Sequence, residues 1–160
     1  MMGAFFVKEI LQAGLQIEKN GLSFYREVAA KKPRPEIREI FDHLADEEAR
    51  HIQELNPLLD RVSEPPESLE REDYALYLEA LVNSHVFRED GSGQEAAQRI
   101  QTPDEALELG ARFEKDTILF FQALRPWVRA EDRPILERLI DWEREHLTRL
   151  ARLKRKFRGN

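Results

Sequence analysis

The 160-residue sequence contains no cysteine. Disulfide staples, thiolate zinc sites, iron–sulfur clusters and a cysteine nucleophile are therefore excluded. No apolar stretch approaches the ~20 residues needed to cross a bilayer. The start, Met1 to Lys8, lacks a basic region followed by an apolar run of signal-peptide length, so a soluble cytoplasmic protein is expected. There is no surplus of positive charge: the formal net charge is -6, which argues against a general nucleic-acid binder. One basic cluster, Lys154-Arg155-Lys156-Phe157-Arg158, reads as favourable charge at a helix C-terminus. What is present is a 41% apolar and 35% charged composition, which suits long amphipathic helices with solvated outer faces. The length accommodates one domain, residues 1–160, with its own core.

Hydrophobic period and breakers divide the chain into four long helices and a shorter one. The first runs over about 4–30 and is closed by Lys31-Lys32-Pro33-Arg34-Pro35; the second spans about 36–61 and stops at Ser63-Glu64-Pro65-Pro66. A shorter helix over about 69–87 precedes a turn at Asp90-Gly91-Ser92-Gly93. The next long helix opens with Thr102 as N-cap, Pro103 at the first helical position and Glu105 completing a capping box, and ends near Arg125, before Pro126. The last covers about 132–157. Short links make each long pair an antiparallel hairpin, and the long segment from Val62 to Gln101 carries the chain back to the other end. The expected fold is all-α: a ferritin-like antiparallel four-helix bundle with a long crossover containing a short helix.

A carboxylate–histidine pattern occurs twice at almost the same spacing. Glu18 is followed by Glu48-Ala49-Arg50-His51, and Glu114 by Glu143-Arg144-Glu145-His146. Glu and His at i and i+3 project from one helix face, so each half points three metal ligands at a common place. Together they supply four carboxylates and two imidazoles, the ligand set of a dinuclear carboxylate-bridged site. Glu18 and Glu48 stand fifteen residues either side of Pro33, and Glu114 and His146 sixteen either side of Ala130, which puts each half's ligands at one level of its hairpin.

Every one of these residues interrupts an apolar stripe near mid-helix. Glu143 and His146 continue Leu136, Leu139, Leu150, Leu153 and Phe157; Glu48 and His51 lie within Ile37, Phe41, Leu44, Ile52 and Leu55. Glu18 falls among Leu11, Leu15, Leu22 and Tyr25, and Glu114 shares a stripe with Leu107, Ile118 and Phe121. Four clustered buried carboxylates are costly unless a partner balances them, and two divalent cations supply that charge. A lone Glu-x-x-His in so acidic a chain would be a solvated face or a core histidine. Duplication, inward placement and matched level favour a metal site. Tyr25, one heptad after Glu18, either hydrogen-bonds a ligand or bound oxidant or is a core tyrosine. Glu47 and Glu145 read as surface charges, His43 as a helix-flank residue, His85 as crossover packing, and Trp127 and Trp142 as packing residues.

The ordered set Glu18, Glu48-Ala-Arg-His51, Glu114 and Glu143-Arg-Glu-His146 resembles the ferritin-like superfamily, and within it the rubrerythrin-like di-iron domain, over nearly the whole chain. The resemblance implies that Glu48 and Glu143 bridge two irons, that Glu18 and Glu114 are terminal or chelating ligands, and that His51 and His146 each bind one iron. Mn or a mixed Fe/Mn pair fits the same ligands. Two departures stand out: Ala111 occupies the place of a further family glutamate one turn before Glu114, and the cysteine-ligated rubredoxin domain is missing. The implied function is a di-iron oxidoreductase, a peroxidase reacting with hydrogen peroxide or dioxygen, with electrons from a separate donor protein. A homodimer or higher homo-oligomer is implied as well, with Phe5 and Phe6 as interface material. The competing readings are a ferroxidase supporting iron storage and a metal-free structural or interaction bundle.

Overall fold

A computed structural model describes residues 4–31, 34–61 and 71–159. Six α-helices follow in order: α1 Ala4–Ala30, α2 Pro35–Leu55, α3 Arg71–Ser84, α4 Ser92–Arg99, α5 Pro103–Leu124 and α6 Arg133–Arg158. The four long helices pair mainly as α1 with α2 and α5 with α6, the two hairpins meet through α2–α6 and α1–α5, and the crossover helices α4 and α3 lie on α1 and α5. This is an all-α bundle of the ferritin-like arrangement.

Several helix ends follow from local chemistry. Thr102 accepts the Glu105 N–H at 3.2 Å, while the Glu105 carboxylate accepts the Thr102 and Gln101 N–H groups, so the capping box forms. Past Leu124 the chain tightens into a 3-10 turn, Arg125–Trp127, because Pro126 has no N–H to continue the helical ladder. The same device acts earlier than expected on α2. Pro57 converts its last turn into a 3-10 segment, Asn56–Asp60, so the α-helix ends at Leu55 and not near Arg61. The expected stop at residues 63–66, the turn residue Pro33 and the side chains of Phe5 and Phe6 lie outside the described residues.

The crossover carries two helices where one is expected. The shorter-helix expectation corresponds to α3, which ends at Ser84; its expected first residues, 69 and 70, are outside the described part. Gly91 makes the anticipated turn with φ 75°, and α4 begins immediately after it. Gly93 then presses against the backbone of Asn20, where a Cβ would collide with the Asn20 carbonyl. Asn20 in turn donates from Nδ2 to the Phe87 and Glu89 carbonyls, both at 2.7 Å, and so ties the crossover to α1.

The core falls into two apolar clusters with a polar layer between them. One cluster contains Leu11, Leu15, Leu55, Phe120, Leu124, Leu136 and Leu139; the other contains Phe24, Tyr25, Phe41, Leu44, Phe113 and Leu150. Gly14 and Gly21 on α1 let α5 approach closely: a Cβ at Gly14 would sit 2.6 Å from the Phe120 ring, and one at Gly21 would overlap the Phe113 ring. These two contacts bracket Glu18 on one helix and Glu114 on the other. Among the described residues no helix is long and apolar enough to cross a membrane.

Candidate metal centre

Each long helix delivers its part of the duplicated pattern to the polar layer. Glu18 from α1, Glu48 and His51 from α2, Glu114 from α5, and Glu143 and His146 from α6 are all buried, none more than 1% exposed. His51 Nδ1 lies 3.4 Å from Glu18, 3.2 Å from Glu48 and 2.8 Å from Glu143. His146 Nδ1 lies 3.2 Å from Glu48, 3.4 Å from Glu114 and 3.1 Å from Glu143. Glu48 and Glu143 are thus shared by both imidazoles, while Glu18 and Glu114 each serve one. One ligand atom from each of Glu48, His51, Glu143 and His146 fits within a sphere of contacts no longer than 4.8 Å. The structure brings together all six residues singled out in the sequence.

The electrostatics are those of a site short of cations. Burial, then the Glu48 and Glu143 charges, pushes the Glu18 carboxyl well above its usual range; burial, then Glu143, does the same to Glu114. Burial also pushes Glu48 and Glu143 up, but the adjacent imidazoles outweigh it and hold both below the ordinary carboxylate range. Burial opposes charge on His51 and His146, yet the surrounding carboxylates win and hold both imidazoles protonated far above their usual range. Without metal the shifts run toward a neutral cluster: Glu18 and Glu114 are pushed toward the acid, Glu48 and Glu143 toward the carboxylate, and both imidazoles toward the imidazolium. Despite these proximities, ten side-chain atoms of the six residues have no hydrogen-bond partner. Buried polar atoms are normally paired. Carboxylate oxygens and imidazole nitrogens converging on one layer, once their protons are displaced, fit divalent iron or manganese.

Around the six lies a ring of supporting residues. The Tyr25 hydroxyl donates to Glu114 Oε1, so of its two readings the tyrosine holds a site carboxylate while packing in the core. Burial, then Glu114, pushes the Tyr25 phenol up and keeps it protonated as a donor. Glu47 corrects the expectation of a surface charge: its side chain is 19% exposed against 64% for Glu145, and its Oε2 accepts from His146 Nε2 at 2.7 Å. That hydrogen bond pulls the Glu47 carboxyl down to about 2. Arg149 and His43 hold Glu47 from outside, each at 3.2 Å. Trp142 packs as expected, but against the site: its ring is stacked on His51 at 5.2 Å, and His51 on His146 at 5.1 Å.

His85 is also nearer the site than crossover packing implied. Its Nδ1 accepts from the Phe87 N–H at 3.1 Å and its Nε2 faces Thr117 Oγ1 at 3.1 Å, one turn beyond Glu114. Burial pushes the His85 imidazole down to about 4, so it is neutral at ordinary pH. Neither Thr117 nor Glu47 carries a sequence signal of its own. Glu47 meets His146 across 99 residues of chain, and only the fold reveals the pair.

A helical bundle whose long helices converge buried Glu and His side chains in mid-core is a ferritin-like protein of the di-iron-carboxylate class. Within that class, the chain belongs to the rubrerythrin family, whose pattern it matches over residues 9–154. It is similar in structure to a ferritin-like diiron-carboxylate protein from Thermotoga maritima, with a TM-score of 0.68 and 28% sequence identity, covering 93% of this chain and 94% of that one. No curated protein matches it in sequence.

Proposed function

We propose that this protein is a non-haem di-iron oxidoreductase that reduces hydrogen peroxide, accepts dioxygen as an alternative oxidant, and is recharged by a separate electron-donor protein. The observation that carries the reading is the set of ten unpaired donor atoms buried in a single layer. Glu48 and Glu143 would lie between two ions, with Glu18 and His51 on one side and Glu114 and His146 on the other. A pair of iron ions held there would supply two electrons to an oxidant. The chain's own contribution is positional. Glutamates satisfy hard ions in terminal or bridging modes, the imidazoles complete each position, and the two apolar clusters keep bulk water from the layer.

Ferroxidase activity is the second reading, favoured by Ala111. That half-buried residue stands one turn before Glu114, so no seventh carboxylate is offered from that position. Anaerobic titration of the metal-free protein with Fe(II), followed by peroxide, separates the possibilities. Peroxidase function predicts two irons per chain, one peroxide consumed per iron pair, and repeated turnover with the same irons when a reductant is supplied. Continuous oxidation and release of added iron would support the ferroxidase. No saturable binding would leave the metal-free bundle as the working account, with Mn(II) tested in the same way before iron is set aside.

A further inference from the structure

The near-symmetry of the six residues hides a difference between the halves. Glu48 and Glu143 are common to both, so any inequality has to come from the terminal pairs. In the second half each terminal residue is tied by one atom and free at the other: Glu114 Oε1 accepts from Tyr25 while Oε2 is unpaired, and His146 Nε2 is bonded to Glu47 while Nδ1 is unpaired. In the first half nothing is tied. Both oxygens of Glu18 and both nitrogens of His51 lack hydrogen-bond partners. The chain position that supplies Glu47, just before Glu48, is filled in the other Glu-x-x-His by Trp142, just before Glu143. An indole stacked on His51 fixes the plane of the ring but accepts no proton, so it cannot choose the tautomer.

We propose that the two metal positions are unequal and fill in a fixed order, the Glu114–His146 position first, with Glu47 and Tyr25 as the positioning residues that set the order. The inference rests on the di-metal reading above. Glu47 holds the Nε2–H of His146, which turns Nδ1 toward Glu48, Glu114 and Glu143 before any ion arrives and makes it the nitrogen that gives up its proton to the ion. Arg149 and His43 keep Glu47 itself in place. A carboxylate behind an imidazole raises its basicity and fixes its orientation, and losing such a partner typically weakens metal binding about 10–100-fold. The Glu18–His51 position has to order its ligands when the second ion binds, which makes it the weaker and more readily exchanged of the two.

Zn(II) alone serves as probe, with the full chain followed by calorimetry and by imidazole 1H–15N spectra. The wild-type protein should bind two ions in two steps, and the first equivalent should shift the Nδ1 of His146 before that of His51. Glu47→Leu should weaken the tighter step about 10–100-fold and leave the weaker step within about threefold. Glu47→Gln keeps an oxygen to accept the Nε2–H and should recover part of the loss, a graded rescue that a merely structural role does not give. Simultaneous shifts of both histidines, or His51 responding first, would overturn the order while leaving the di-metal reading intact. Equal weakening of both steps in Glu47→Leu would overturn the role of Glu47. Failure of the wild-type chain to bind two ions would remove both readings.

Discussion

Loading the site with metal should expel protons in a number that the metal-free cluster dictates. Four of its six groups are pushed toward the protonated form: the Glu18 and Glu114 carboxyls by burial and neighbouring carboxylates, and His51 and His146 because the carboxylates around them overcome burial. Two divalent ions replace that positive charge, and ligation requires the carboxylates ionised and Nδ1 of each imidazole bare. About four protons should therefore leave per chain on full loading near pH 7, and the overall two-ion affinity should rise about 10⁴-fold per pH unit there. Ordinary side chains at pH 7 would release almost none, since carboxyls would be ionised and most imidazoles neutral. Calorimetry in buffers of different ionisation enthalpy counts the protons directly. Glu18→Gln should lower the count by one, because the amide keeps the shape of the protonated acid but has no proton to lose. A release below about two protons per chain would refute the neutral-cluster argument.

The same shifts predict how the metal-free protein responds to pH. Carboxyls held up, Glu18 and Glu114, lend stability that fades as pH rises above 4.5, and the imidazoles add a further loss above 6.5; Glu47, Glu48 and Glu143, held down, lend stability that is lost as pH falls below 4.5. Thermal midpoints without metal should therefore peak at about pH 4.5–5 and fall toward pH 8, and the metal-loaded protein should show the opposite slope over that upper range; a flat metal-free profile would contradict the shifts. Glu48→Ala or His146→Ala should abolish tight binding of the second ion, and two-ion stoichiometry in either variant would remove the assigned ligand role. Gly21→Ala drives a methyl into the Phe113 ring and should cost about 1–3 kcal/mol in denaturant unfolding; no loss would show that α1 and α5 separate freely.

What could be read from the sequence was whatever repeats or punctuates. The six inward Glu and His residues announce themselves by two Glu-x-x-His pairs, by interrupting apolar stripes, and by matched distance from two hairpin turns. The capping box at Thr102 and the break at Pro126 are local chemistry and appear where expected. Pro57 is equally local, but the apolar period of α2 runs on across it from Leu55 to Leu59, so the pattern alone carries the helix past its true end. Helix α4 is different. Its eight residues would be marginal alone, and it exists because Gly93 lets it seat on the Asn20 backbone, a contact no window of sequence contains. Glu47 was hidden for a related reason. On α2 it stands on the polar side, and its partner arrives from α6.

The polar layer between the two apolar clusters does something for the architecture that is separate from holding ions. Antiparallel helices with regular apolar stripes can slide past one another by a turn, about 5.4 Å, and still bury similar surfaces. Here such a slip of α6 would take Glu143 and His146 out of register with Glu48 and His51 and press one of them toward an apolar cluster that offers no counter-charge. Misaligned bundles are penalised by stranded charge, while in the aligned one each imidazole lies among carboxylates even before metal arrives. The six residues that form the candidate metal site thus also act as the core's vernier, favouring the one axial setting in which all four helices agree.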